Sequence, residues 1–150
     1  AQQAWFREDV KKTDKTWKIV LMHKDPLQYR ITNRPDRQEG FSDEGRAWMP
    51  LFDEAGIDVV FSAHLHTYRN RGHIYNEQPD RRGPVYLMFG PAGNERYTVP
   101  PDTTFDKVSL DQSDPNRYRN YMTLTVTPAK LIATCFLEDG STIDRVTLTK

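Results

Sequence analysis

The sequence predicts an α/β chain that closes with an antiparallel β meander. Nearly continuous apolar runs at 17–22, 57–62 and 85–89 have the length and composition of strands covered on both faces, and a helical pattern separates the first two. The last thirty residues change character, becoming three β-rich runs joined by short turn sequences. In chain order, Phe6 and Val10 stand at helical spacing beside Trp5, with Arg7, Glu8, Asp9, Lys11 and Lys12 around them, so residues 1–12 are read as a short amphipathic helix. The strand Trp17–Met22 follows and runs into His23-Lys24-Asp25-Pro26, where the proline ends it. Residues 27–42 are polar, contain Pro35 and Gly40, and are expected to form a long surface loop. Ala47, Trp48, Leu51, Phe52 and Ala55 then repeat at helical spacing. Ser42 or Asp43 suits the N-cap, Gly56 suits a left-handed stop, and Pro50 kinks this helix or begins its main part.

The strand Ile57–Ser62 ends in Ala63-His64-Leu65-His66, and the strand Val85–Phe89 ends in Gly90-Pro91-Ala92-Gly93-Asn94, a turn whose glycines permit unusual backbone angles. Residues 94–119, rich in Pro, Asp and Thr, are expected to wind over the surface. Tyr121–Val126, Leu131–Leu137 and Ile143–Leu148 are joined by Thr-Pro-Ala-Lys and Glu-Asp-Gly-Ser, which predicts the meander. Trp5, Trp17 and Trp48 are assigned to the core, and Cys135 is read as a small buried hydrophobe.

Composition narrows the function classes. The 150 residues are 37% hydrophobic and include three Trp, seven Tyr and seven Phe, which excludes a disordered chain. Twenty-one basic residues cancel twenty-one acidic ones, so no net field draws the chain to nucleic acid or to an anionic membrane. No apolar run approaches the length that spans a bilayer. One cysteine excludes an internal disulfide framework and a zinc site built on two thiolates. The first residues lack an initiator Met and the pattern of a signal peptide, and the chain is expected to begin inside a longer protein.

The chemistry lies with the histidines. Three of the four, His23, His64 and His66, stand just past the ends of two apolar strands, where ligands gather in open α/β sheets. Neutral imidazole is the commonest protein ligand for transition metals, and three such rings could ligate one zinc. His73, beside Gly72 in a polar stretch, is read as an ordinary hydrogen-bonded surface or core histidine. A metallo-β-lactamase site would continue His-x-His-x-Asp-His, but Tyr68 and Arg69 occupy the last two places. An amidohydrolase barrel needs far more chain than follows His66. A cupin needs a nearby Glu and an all-β chain.

The pattern Trp17-Lys-Ile-Val-Leu-Met-His23, followed by Pro26 and then by Phe52-Asp-Glu-Ala-Gly-Ile-Asp58-Val-Val-Phe-Ser-Ala63-His64-Leu-His66-Thr-Tyr68-Arg69, resembles the calcineurin-like metallophosphoesterases, in their purple acid phosphatase-like branch. The Gly90-Pro-Ala-Gly93-Asn94 turn also resembles the family's glycine-rich strand end. The likeness implies a four-layer α/β/β/α sandwich of which residues 1–150 are the C-terminal portion. Residues 1–95 would bear the metal ligands and 120–150 the antiparallel segment.

By the same resemblance, His23 and His64 bind one metal and His66 the other, in a dinuclear centre of Zn, Mn or Fe that hydrolyses a phosphorylated small molecule or other phosphoric ester. The family's Asp-x-His, bridging Asp and Gly-Asn-His-Glu/Asp motifs do not occur here, and Asp25 and Asp58 lie in the wrong segments to replace them. The missing N-terminal half is therefore an expected partner, and this chain alone is expected to hold at most one weak metal site and to lack catalysis. The resemblance also implies export from the cell. Ala63 stands where the family has glycine, and no histidine occurs between Lys24 and Trp48. Tyr29, Arg30 and Arg34, Tyr68, and the clusters Arg69-Asn70-Arg71 and Arg81-Arg82 could touch an anionic substrate, but solvated or core roles are the default. The competing reading is a non-catalytic structural or binding module whose histidines are relics.

Overall fold

The computed structural model describes residues 1–28, 40–91, 93, 95–97, 104–111 and 113–150. Helix α1 (Gln2–Lys12) leads to β1 (Ile19–Leu21), and the short β2 (Leu27–Gln28) pairs antiparallel with β3 (Gly40–Phe41) inside what the sequence suggested was all loop. Tyr29, Arg30 and Arg34 lie outside the described residues. Helix α2 (Asp43–Ala55) starts where expected, because Ser42 Oγ accepts the Gly45 amide, and it stops at Gly56, whose φ of 60° is left-handed. Pro50 lies inside it. Next come β4 (Val59–Ser62), β5 (Arg69–Tyr75), β6 (Gln78–Pro79), β7 (Val85–Met88) and β8 (Val108–Ser109), then the meander of β9 (Asn120–Thr127), β10 (Lys130–Leu137) and β11 (Thr142–Thr149).

The main sheet runs β1-β4-β7-β5-β6, with β8 also paired to β5. β1, β4 and β7 are parallel and β5 is antiparallel to β7, so the sheet is mixed as expected. Alternation along the strands divides the core between its faces. On one face Val60, Ile74 and Tyr86 meet Phe6 and Phe52 of the helices. On the other, Val59, Phe61, Val85 and Leu87 meet Leu131 and Ala133 of the meander. Helices, mixed sheet and antiparallel sheet are thus three stacked layers of an α/β/β/α plan.

Three expectations need correction. The first strand is not covered on both faces: β1 borders β4 and no other described strand, leaving Ile19 38% and Leu21 76% exposed. Trp5 is not core but 65% exposed, since α1 turns Phe6 and Val10 inward; Trp17 and Trp48 do pack. The Arg69-Asn70-Arg71 cluster is not a surface patch. It opens β5, a strand that hydrophobic patterning misses, because the inward residues Arg69 and Arg71 are buried by pairing with Asp106 and Asp25 instead of by apolar contact. The turn after β5 places Asn76 at φ 48° and Glu77 at φ 61°, as a primed two-residue hairpin requires.

Candidate metal centre

Parallel pairing sets the site. The β1–β4 ladder continues past the strands, with the Met22 amide on Phe61 O at 2.9 Å and the Ala63 amide on His23 O at 3.1 Å. His23 is thereby held beside Ala63, and His64 comes next. The chain then makes two tight turns: the Leu65 amide donates to Ala63 O at 2.8 Å and the Thr67 amide to Leu65 O at 2.7 Å. These i to i+2 bonds are γ-turns with His64 and His66 at their centres. His64 has φ 70°, the rare, strained form for a residue with a side chain.

His23 Nε2 and His64 Nδ1 lie 3.0 Å apart, their rings edge to face with centroids 5.0 Å apart. Lys24 Nζ stands 3.4 Å from His64 Nε2. An ammonium can only donate, so His64 Nε2 accepts, its proton sits on Nδ1, and Nδ1 donates to His23 Nε2. Partial burial first, then the charge of Lys24 and the coupling to the neighbouring His23 and His66 rings, hold the His64 imidazole below its usual pKa, against a weaker opposing pull from Glu44.

His66 is turned elsewhere. Its Nδ1 donates to Glu95 O at 2.6 Å, which leaves Nε2 with the free lone pair, and its ring stacks on Tyr97 with centroids 4.2 Å apart. A backbone carbonyl on the far nitrogen is the usual device that orients a ligating histidine. The three rings therefore divide into a converging pair and a separate third, and among the described residues no group of three or more His, Cys, Asp or Glu gathers where a metal could be held. The pair fits one ion once the His64 proton moves from Nδ1 to Nε2, which requires the Lys24 ammonium to turn away. Nitrogens bound to one tetrahedral zinc at 2.0–2.1 Å stand about 3.3 Å apart, close to the separation already present.

Other candidates resolve into structure. His73 Nδ1 donates to Gly83 O. Tyr68 is 1% exposed, and its hydroxyl donates to Asp144 across to the meander. Asp58 bonds the Lys18 amide and Lys150. Arg82 pairs with Asp80 at the surface. Asn120 pins the glycine turn after β7: its Oδ1 accepts the Gly90 amide at 2.9 Å and its amide donates to Gly90 O at 2.5 Å. Sequence reasoning missed Lys24, Tyr97 and the Glu95 carbonyl. Only Lys24, adjacent to His23, carried any signal.

The calcineurin-like phosphoesterase model matches residues 1–68, from α1 through both γ-turns. Over that stretch the chain is similar to the calcineurin-like phosphoesterases. Among its relatives in sequence are purple acid phosphatases. Purple acid phosphatase 18 of Arabidopsis thaliana is 35% identical over 97 residues, which is 62% of this chain and 21% of that protein. Purple acid phosphatase 23 of the same plant is 30% identical over 116 residues, 75% of this chain and 22% of that one. The phosphoenolpyruvate phosphatase of Allium cepa is 32% identical over 108 residues, 63% and 22% respectively. The fold agrees with that of a purple acid phosphatase from yellow lupin (Lupinus luteus) seeds, with a TM-score of 0.73 at 17% identity over 99% of this chain and 28% of that chain. The chain spans about a fifth of the length of the curated relatives it matches.

Proposed function

We propose that the complete protein hydrolyses phosphoric esters at a dinuclear metal centre and that this chain, as its C-terminal portion, supplies the histidine half. The observation that carries the reading is the 3.0 Å approach of His23 Nε2 to His64 Nδ1 at the ends of paired parallel strands. His23 and His64 would hold one ion through neutral imidazoles, and His66 would offer Nε2 to the other. A bound pair of Zn, Mn or Fe ions would polarise a phosphoryl oxygen and lower the pKa of a bridging water. The γ-turns aim His64 and His66, Glu95 O fixes the His66 tautomer, and Tyr97 holds its ring in plane. Lys24 adds a positive charge beside the pair, which favours an anionic ester.

The bridging carboxylate and the remaining ligands would come from the N-terminal half, outside this sequence. The edge of β1 away from β4, unpaired among the described residues, supports that docking. Exposed Ile19 and Leu21 line it, His23 lies at its end, and Trp17 Nε1 bonds Thr127 O, tying β1 to the edge strand β9 with its exposed Leu124 and Val126. The 150 residues alone would hold one weak ion and be inactive. We extend the proposal to phosphorylated small molecules as substrates and to an extracellular setting, as the likeness to purple acid phosphatases suggests; no helix among the described residues is long and apolar enough to cross a membrane.

The test is p-nitrophenyl phosphate hydrolysis by the full-length protein. His23→Ala, His64→Ala and His66→Ala should each lose more than the roughly 10–100-fold that an outer-shell change costs, while His73→Ala keeps its rate. Full activity in His64→Ala would end the proposal.

A further inference from the structure

We infer that Asp25 is a positioning residue for the metal centre, because its buried carboxylate joins the three segments that carry His23, His64 and His66. The inference rests on the metal-site reading above and adds to it the residue, with its counter-ion Arg71, that sets the spacing of the imidazoles.

Asp25 lies two residues after His23 and is 5% exposed. Its Oδ1 accepts from Ser62 Oγ at 3.3 Å, and Ser62 stands two residues before His64. Arg71 grips it as a fork, NH1 to Oδ1 at 2.8 Å and NH2 to Oδ2 at 2.7 Å, and Arg71 belongs to the strand that follows His66. The backbone of the same loop is fixed from the other side. The single Ser42 hydroxyl proton is shared between Asp25 O at 2.8 Å and Pro26 O at 3.0 Å, and the Ser42 amide donates to Pro26 O at 2.9 Å. The His23 loop is therefore clamped between the start of α2 and β5, with a link to β4 in the middle.

Stability alone is a poor reason for this arrangement, since a buried ion pair recovers little beyond its own desolvation and apolar residues fill such space as well or better. Planar bidentate geometry does what apolar packing cannot: it fixes distance and angle together. Asp106 approaches Arg71 Nε at 3.5 Å and also pairs with Arg69, so the guanidinium that holds Asp25 is itself held by a neighbouring loop. The chain of contacts from Arg71 through Asp25 to Ser62 adds a side-chain constraint to the backbone ladder that holds His23 beside Ala63, and the two together set the 3.0 Å approach of His23 to His64.

The experiment uses the full chain with two readouts: the nuclear Overhauser contact between the His23 and His64 rings in the metal-free protein, and zinc affinity by competition. Asp25→Asn tests the residue directly. Asp25→Ala with Arg71→Met removes both charges and so leaves no buried ion unpaired. Ser62→Ala cuts only the link to β4 and keeps the ion pair, so it remains informative if a charge variant fails to fold. Leu131→Ala, a cavity on the meander side of the sheet, is the destabilised control.

Expected are loss of the ring contact and a fall in zinc affinity of at least about tenfold in the Asp25 variants, about fivefold in Ser62→Ala, and none in Leu131→Ala. A persisting ring contact with unchanged affinity in the double variant overturns the inference. So does an equal loss in Leu131→Ala, which would reduce Asp25 to a general stabiliser. Should the parent chain bind no zinc, the metal-site reading fails, and the ring contact still decides the positioning role.

Discussion

Gly45 is where α2 presses on the loop that carries His23, and replacing it sets two physical rules against each other. In an ordinary helix Gly→Ala stabilises by about 1 kcal/mol, because alanine loses less backbone freedom. Here the added Cβ would stand 2.0 Å from Pro26 O and 2.9 Å from Pro26 C, about 1.4 Å short of ordinary contact with the oxygen. The atoms in the way are backbone, so α2 or the loop must move. Overpacking costs about 1–3 kcal/mol, and a backbone clash this deep belongs at the upper end, about 2–3 kcal/mol, which outweighs the propensity gain. A net loss of about 1–2 kcal/mol corresponds to a fall in Tm of roughly 2–8 °C for a chain of this size. Because Pro26 lies three residues from His23, a shift of about 1 Å should also weaken zinc binding, and misplacements of that order cost up to about 100-fold where geometry matters. Thermal unfolding and zinc competition on Gly45→Ala measure both effects. A raised Tm with unchanged affinity would refute the account of how α2 braces the loop.

Other consequences follow from single contacts. Phe52→Ala removes a ring that stacks on Trp48, meets Phe6 edge to face and is 1% exposed, so it should cost about 3–5 kcal/mol in urea unfolding; a cost under 1 kcal/mol would contradict the packing described. Tyr68→Phe deletes the bond to Asp144 and should cost about 1 kcal/mol by the same assay, with zinc affinity unchanged. Burial pushes the Cys135 thiol up to about 12, so it should ignore a thiol reagent at pH 8 until urea unfolds the chain; rapid labelling of the native protein would count against its buried position. His64 binds a proton less readily folded than unfolded. Acidification below about pH 6.5 should therefore lower Tm as the unfolded state takes up protons first, and it should weaken zinc binding in the same direction, because the ligating ring is neutral. His64→Gln should remove that component of the Tm slope, and an unchanged slope would show that another group is responsible.

Much of this was legible in the sequence where local rules and tertiary packing agree. Ser42 and Gly56 mark the ends of α2 because capping is decided by adjacent residues. The meander is readable because Leu131, Ala133, Cys135 and Leu137 alternate toward one core. Placing His23 and His64 at neighbouring strand ends needed only the rule that ligands gather there, together with the family likeness. What escaped depended on partners distant in sequence. β5 escaped because its inward residues are arginines whose counter-ions, Asp25 and Asp106, lie 46 and 37 residues away. Trp5 and Leu21 were misassigned because hydrophobicity states what a residue favours and not whether a neighbour is present to cover it. The division of the histidines into a pair and a third rests on Glu95 and Tyr97, in a loop that carries no periodic signal.

The central claim is that this chain holds half of a two-metal site, and zinc stoichiometry tests it most directly. Titration of the 150-residue protein should find one weak equivalent, lost in the His64→Ala, His66→Ala double variant. Two tight equivalents, or no binding at all, would contradict it.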